Sequence, residues 1–138
     1  MTTEQANVAL IRSTLDSFNA GDFETCAARL SPDFVMNLAG LPPMPGPDVW
    51  RQGAEIIKRG FPDLHMRIDD VVAAGDEVAV RLTIRGTHLG EYLGLPATGR
   101  VIEYVSHEFY RITNGLIAAE WVCSDTATMQ GQLTGGQA

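Results

Sequence analysis

Cysteine is scarce in this chain: Cys26 and Cys123 are the only two in 138 residues. They stand far apart and form no metal-like spacing, so neither a disulfide framework nor a thiolate metal site organises the fold, and a reduced, cytoplasmic setting is the expectation. Neither cysteine has a convincing basic partner in the sequence to activate it, which argues against a thiol nucleophile. Basic charge is also short, with Lys and Arg at 10 against Asp and Glu at 17, a net charge of -7 and a pI near 4.8. Such a surface repels phosphate backbones, so a nucleic-acid partner is not expected. The N-terminus lacks a basic segment followed by an apolar run, and no apolar stretch reaches membrane-spanning length, so neither a signal peptide nor a membrane partner is expected. No glycine-rich loop opens a helix to cradle a nucleotide phosphate, and no His-x-x-x-His or His/carboxylate spacing marks a metal site. The expectation is therefore no cofactor and no metal.

What is present suffices for one domain. Hydrophobic residues make up 45% and charged residues 20%, an ordinary balance for a globular core. Residues 4–20 read as a helix, with Val8, Ile11, Leu15 and Phe18 forming one apolar stripe. Gly21 is placed to cap it. A short helix follows from about Phe23 to Leu30, then a strand over Phe34–Leu38. The Pro/Gly-dense segment 40–46 reads as a loop, and a third helix starts at Pro47-Asp48 and stops at Gly60-Phe61-Pro62-Asp63. Strand periodicity then takes over across Leu64–Val72, Glu77–His88, Val101–Thr113 and Leu116–Cys123, with turns at Gly75-Asp76 and Asn114-Gly115. Residues 1–130 are expected to form the domain, and 131–138 a disordered tail. Helices on one side of a curling antiparallel sheet make an α+β fold with a concavity suited to a small ligand.

Alternation picks out the chemistry. Tyr104, Ser106, Glu108 and Tyr110 share one face of their strand, and Glu120 and Val122 share one face of the next. If those faces coincide, two carboxylates look into one cavity, and their pKa values are pushed apart so that one is acid and the other base. The other reading places Glu108 and Glu120 on the solvent face, paired with Arg81, Arg85 or Arg111. His88, where a loop begins, is a candidate acid/base or a side chain bonding loop backbone. His107 should face away from Glu108, and His65 shares a face with Arg67 and Asp69. Asp125 is either a base at the pocket rim or a cap on Thr126-Ala127-Thr128. Trp50, Met36, Met44, Met66, Tyr104 and Tyr110 could line a pocket for a flat apolar ligand or be plain core, and Asn37 could hold a ligand carbonyl or make a turn contact. Trp121 should face the outer side of the sheet, where exposed apolar residues would suggest a homodimer through the sheet.

Phe18-Asn19-Ala20-Gly21-Asp22, Phe61-Pro62-Asp63-Leu64, Gly75-Asp76, Gly86-Thr87-His88, Gly94-Leu95-Pro96 with Gly99-Arg100, Tyr110-Arg111-Ile112 with Asn114-Gly115, and Glu120-Trp121 occur in an order that resembles the SnoaL-like polyketide cyclases. These are a branch of the nuclear-transport-factor-2-like superfamily. The resemblance implies a cone-shaped antiparallel sheet packed on three N-terminal helices as an α+β barrel. It also implies cofactor-free aldol closure of a ring in an aromatic polyketide, with an Asp on the last strand as acid/base and a His on the strand before it. Aligned on Arg111-Ile112 and Asn114-Gly115, Glu108 takes the His position and Val122 takes that of the Asp. The expectation is thus a pocket acting on a hydrophobic, polycyclic polyketide-like substrate. Glu120 is assigned as base and Glu108 as acid, and Tyr104 or Tyr110 polarises a substrate carbonyl. Water addition, epoxide opening, a hydroxylation-accessory role and non-catalytic binding are the alternatives on the same fold.

Overall fold

The structure, a computed structural model, describes residues 1–135. Helix α1 (Thr3–Asn19) opens with a capping box in which the Thr2 hydroxyl accepts from the Gln5 N–H and the Gln5 side chain accepts from the Thr2 N–H. Its stripe of Ile11, Leu15 and Phe18 is buried. Helix α2 (Phe23–Ala28) is capped by Asp22 and is shorter than the sequence pattern suggests, because the chain leaves it to enter strand β1 (Leu30–Leu38). Pro32 has no N–H to give to a ladder, and the β1 register shifts between Leu30 and Val35. The Pro/Gly segment is not wholly irregular: Met44–Pro45 forms a short strand β2 against Val35 and Met36. Helix α3 (Pro47–Gly60) takes its proline in the first turn, where a missing N–H is harmless.

Strands β3 (His65–Ala74), β4 (Glu77–Thr87), β5 (Val101–Thr113) and β6 (Leu116–Ser124) form the expected antiparallel meander. The Asn114-Gly115 turn carries positive φ at both residues (52° and 75°), the geometry that matches the twist of a two-residue hairpin. The sheet order is β2-β1-β6-β5-β4-β3. The sheet is mixed rather than wholly antiparallel, since β1 runs parallel to β6, and it stays open, with β2 and β3 as its edges. This is an α+β cone, its inner face covered by helices.

A fourth helix, α4 (Thr126–Leu133), replaces the start of the expected tail. Met129 and Leu133 are buried, and the Gln132 amide bonds both the N–H and the C=O of Glu103, tying α4 to β5. The ordered domain therefore runs past residue 130; the rest of the expected tail, residues 136–138, lies outside the described residues. No helix among the described residues is long and apolar enough to cross a membrane.

Candidate active site

The four residues that alternation put on one face of β5 do point inward: Tyr104, Ser106, Glu108 and Tyr110 are all buried. On β6 the inward phase changes. A bulge in the β5–β6 ladder falls between Arg111 and Ile112, after which Ile112 pairs with Ile117. Ile117 lines the cavity from an odd position, whereas Glu120, Val122 and Ser124 line it from even ones. An extra residue in one strand turns every later side chain to the other face, and here it delivers Glu120 to the interior. Tyr110 stands directly opposite Glu120, and Glu108 opposite Val122. Glu108 and Glu120 are therefore diagonal neighbours on one face.

The cavity they enter has a volume of about 450 Å³, within the range of small-ligand sites. Its walls are mainly apolar and come from α1, α3, α4 and the sheet, with Trp50, Met36 and Met66 contributing as expected. Lys, Arg and His are absent from its described lining, so its only full charge is carboxylate.

Both carboxyls are buried, and they are hydrogen-bonded to each other. Burial raises the Glu120 pKa well above the usual carboxylate range, and the negative charge of Glu108 and the bond to it raise it further. Burial raises the Glu108 pKa too, but three donors oppose that rise. The Tyr110 hydroxyl donates to Oε1 at 2.5 Å, the Ser106 hydroxyl donates to Oε2 at 2.9 Å, and Glu120 supplies the third bond. Burial thus favours the neutral form of both carboxyls, more strongly at Glu120, where no donor opposes it, than at Glu108, where three do. Burial, the Tyr92 hydroxyl and the Glu108 charge hold the Tyr104 hydroxyl protonated. Tyr110 is held protonated by burial and by both glutamates.

The alternative of solvent-facing glutamates is excluded by this geometry. The arginines proposed as their partners pair elsewhere on the outer face: Arg81 with Asp70, Arg85 with Glu103, and Arg111 with Glu77. Arg111 also lies over the half-buried Trp121 ring at 5.1 Å. His107 and His65 are exposed.

Three residues singled out in the sequence do not join the pair. His88 is fully buried but does not line the cavity; its Nδ1 accepts from the Thr98 N–H at 3.2 Å and lies 2.9 Å from the Thr98 hydroxyl. Asp125 caps α4, accepting from the Thr128 N–H and hydroxyl. Those bonds, the hydroxyl's first, hold its carboxyl below the usual range. Asn37 points away from the cavity, and its amide donates to the Glu120 carbonyl at 3.1 Å, bracing that strand from behind. Met44 packs against the core without lining the cavity. Ser124 and Tyr92 line the cavity but were not singled out. Ser124 continues the even-numbered face of Glu120 and Val122, which the sequence could have shown, whereas Tyr92 arrives by way of a loop.

Comparisons with known proteins agree with this architecture. Residues 8–133 match the family described as SnoaL-like polyketide cyclase. The chain is 25% identical over 114 residues to the aklanonic acid methyl ester cyclase DnrD of Streptomyces peucetius, covering 80% of this chain and 78% of that one. The crystal structure of IdmH, a candidate polyketide cyclase from Streptomyces antibioticus, superposes with a TM-score of 0.82 at 34% identity over 93% of this chain and 98% of that one. AclR of Streptomyces galilaeus, a candidate hydroxylase, shares the fold with a TM-score of 0.88 at 24% identity, covering 96% and 83% of the two chains. This chain belongs to the SnoaL-like polyketide cyclase family.

Proposed function

We propose that this chain is a cytoplasmic, cofactor-independent enzyme that closes a ring in an aromatic or polycyclic polyketide intermediate by an aldol-type reaction. The observation that carries the reading is the buried Glu108–Glu120 pair in an apolar cavity, with the pKa raised further at Glu120 than at Glu108. Val122 occupies the position where the family resemblance places an acid/base Asp, so proton transfer falls to the pair. The protonation pattern favours Glu108 as base and Glu120 as acid, the reverse of the order assigned from the sequence.

In this reading the Glu108 carboxylate removes a proton from the carbon beside a substrate carbonyl. The Tyr104 hydroxyl, which lines the cavity and has no hydrogen-bond partner among the described residues, donates to the enolate oxygen as charge develops there. The enolate carbon then bonds to a second carbonyl carbon, and Glu120 gives its proton to the oxygen of the new alcohol. Glu108 now holds a proton and Glu120 has lost one. A shift across their mutual hydrogen bond restores the starting state, so the cycle balances without an outside acid or base.

The lack of a cation in the lining favours a neutral substrate, because a free carboxylate would meet two glutamates with nothing to offset its charge. The test compares wild type with Glu108→Gln and Glu120→Gln on open-ring aromatic polyketide esters. The methyl ester named for DnrD is the first to try, with product analysis and parallel binding titration. Ring closure in wild type, with turnover lost but binding kept in both variants, supports the reading; unchanged turnover in either variant removes that residue from it. We also propose a homodimer through the outer sheet face, supported by exposed Val105 and by exposed Phe109 opposite Trp121.

A further inference from the structure

The acid/base reading requires the two glutamates to differ in a fixed order, although both are buried in the same wall. Tyr110 donates to one oxygen of Glu108. The other oxygen, Oε2, belongs to a second line of groups. Ser106 has no solvent exposure, and its hydroxyl donates to Oε2 at 2.9 Å. The same Ser106 oxygen lies 2.8 Å from the Ser124 hydroxyl, and the two serines are direct cross-strand partners in the β5–β6 ladder.

The direction of this line follows from the proton inventory. An ionised carboxylate only accepts, and a serine hydroxyl has one proton to give. Ser106 spends its proton on Glu108, so Ser124 must donate to Ser106. Ser124 is half-buried and lines the cavity near its α4 side, beside Thr126. Each donation polarises the next, so the Ser124 bond strengthens the one that Ser106 makes to Glu108. Among the described residues Glu120 has no such line of hydroxyls. The hydroxyl bonds from Ser106 and Tyr110 both end on Glu108.

We propose that Ser106 and Ser124 are positioning residues: a directed hydroxyl chain, Ser124 to Ser106 to Glu108 Oε2, makes Glu108 the carboxylate of the pair and leaves Glu120 as its proton carrier. This rests on the acid/base reading above. Neither serine touches the reacting atoms in it, and their effect passes through Glu108.

The experiment is a carboxyl carbon-13 NMR titration of the full chain labelled at glutamate, with Glu108→Gln and Glu120→Gln used to assign the signals. Wild type should show Glu108 ionised and Glu120 protonated through neutral pH. Ser106→Ala should raise the proton affinity of Glu108 about tenfold, the loss of one hydrogen bond to a charge. Ser124→Ala, which leaves that bond in place but unsupported, should raise it roughly two- to threefold. Ser106→Thr, which keeps the hydroxyl, should stay near wild type. If Ser106→Ala does not fold, Ser124→Ala and Ser106→Thr decide the matter, because Ser124 is only half-buried and threonine retains the donor. A wild-type pair that titrates as two equivalent glutamates overturns the acid/base reading and this inference with it. An ordered wild-type pair in which neither serine-to-alanine change raises the Glu108 proton affinity overturns the serine assignment alone, and a change in melting temperature without that rise marks the serines as structural only.

Discussion

Replacing Tyr110 by Phe removes one hydroxyl and leaves the ring to fill its place in the core. The residue is buried, and its hydroxyl makes one hydrogen bond, to Glu108 Oε1 at 2.5 Å. A hydrogen bond to a charged group contributes about 1.5–3 kcal/mol, against roughly 1 kcal/mol for a neutral pair. At neutral pH, where Glu108 is the carboxylate, Tyr110→Phe should therefore lose about 2 kcal/mol. At roughly 4 °C per kcal/mol for a chain of this size, that lowers the melting temperature by about 8 °C. At acid pH, with Glu108 protonated, the lost bond is a neutral one and the deficit should shrink to about 1 kcal/mol. The difference of about 1 kcal/mol is also the expected gain in Glu108 proton affinity, between fivefold and tenfold. The assay is urea denaturation of wild type and variant across the acid-to-neutral range, followed by circular dichroism. A deficit under about 0.5 kcal/mol at neutral pH, in the range of an indifferent surface change, or one that does not depend on pH, would refute the view that Tyr110 stabilises a buried carboxylate.

Glu120→Gln should flatten the pH dependence of stability as well as slow ring closure about 10²–10⁴-fold. Wild-type Glu120 is fully protonated in both states below the ordinary carboxyl pKa of 4.5. Above it the unfolded chain releases the proton while the folded chain keeps it, so stability falls as pH rises toward the folded value; urea titrations at stepped pH should show a shallower decline in Glu120→Gln, with the part due to the raised Glu108 remaining. Asp125→Ala should lower the melting temperature through loss of the α4 cap and leave ring closure unchanged, as a paired melt and product assay would show. Gly90→Ala should dislodge the loop after β4, because a Cβ there would lie 2.0 Å from the Arg59 carbonyl oxygen. About 1–3 kcal/mol of overpacking is expected, together with faster hydrogen exchange at Leu89 and Gly90, whose N–H groups bond the Gly60 carbonyl.

Most of the fold was legible because its periods are local. The α1 stripe of Ile11, Leu15 and Phe18, the alternation through β4 and β5, and the Asn114-Gly115 hairpin can each be read within a dozen residues, and the structure keeps them. The inward face of β5, and hence Glu108 and Tyr110, followed from the same alternation. What escaped was non-local. The parallel pairing of β1 with β6 joins distant segments and leaves no local mark. Helix α4 has weak apolar periodicity and is held by the Gln132 amide on Glu103, a contact with no pattern of its own. The Ser106–Ser124 pair depends on the β5–β6 register, which the bulge beside Arg111 sets. His88 and Asp125 attracted notice as titratable residues near strand ends, yet they serve a loop and a helix cap.

The measurement that bears most directly on the central claim is deuterium incorporation beside the carbonyl of a neutral bicyclic aryl ketone, 1-tetralone, incubated with the protein in D2O and followed by proton NMR. Wild type should speed exchange above the protein-free rate, and Glu108→Gln should abolish that increase while still binding the ketone. Equal exchange by wild type and Glu108→Gln would contradict the assignment of Glu108 as the base of a buried carboxyl pair.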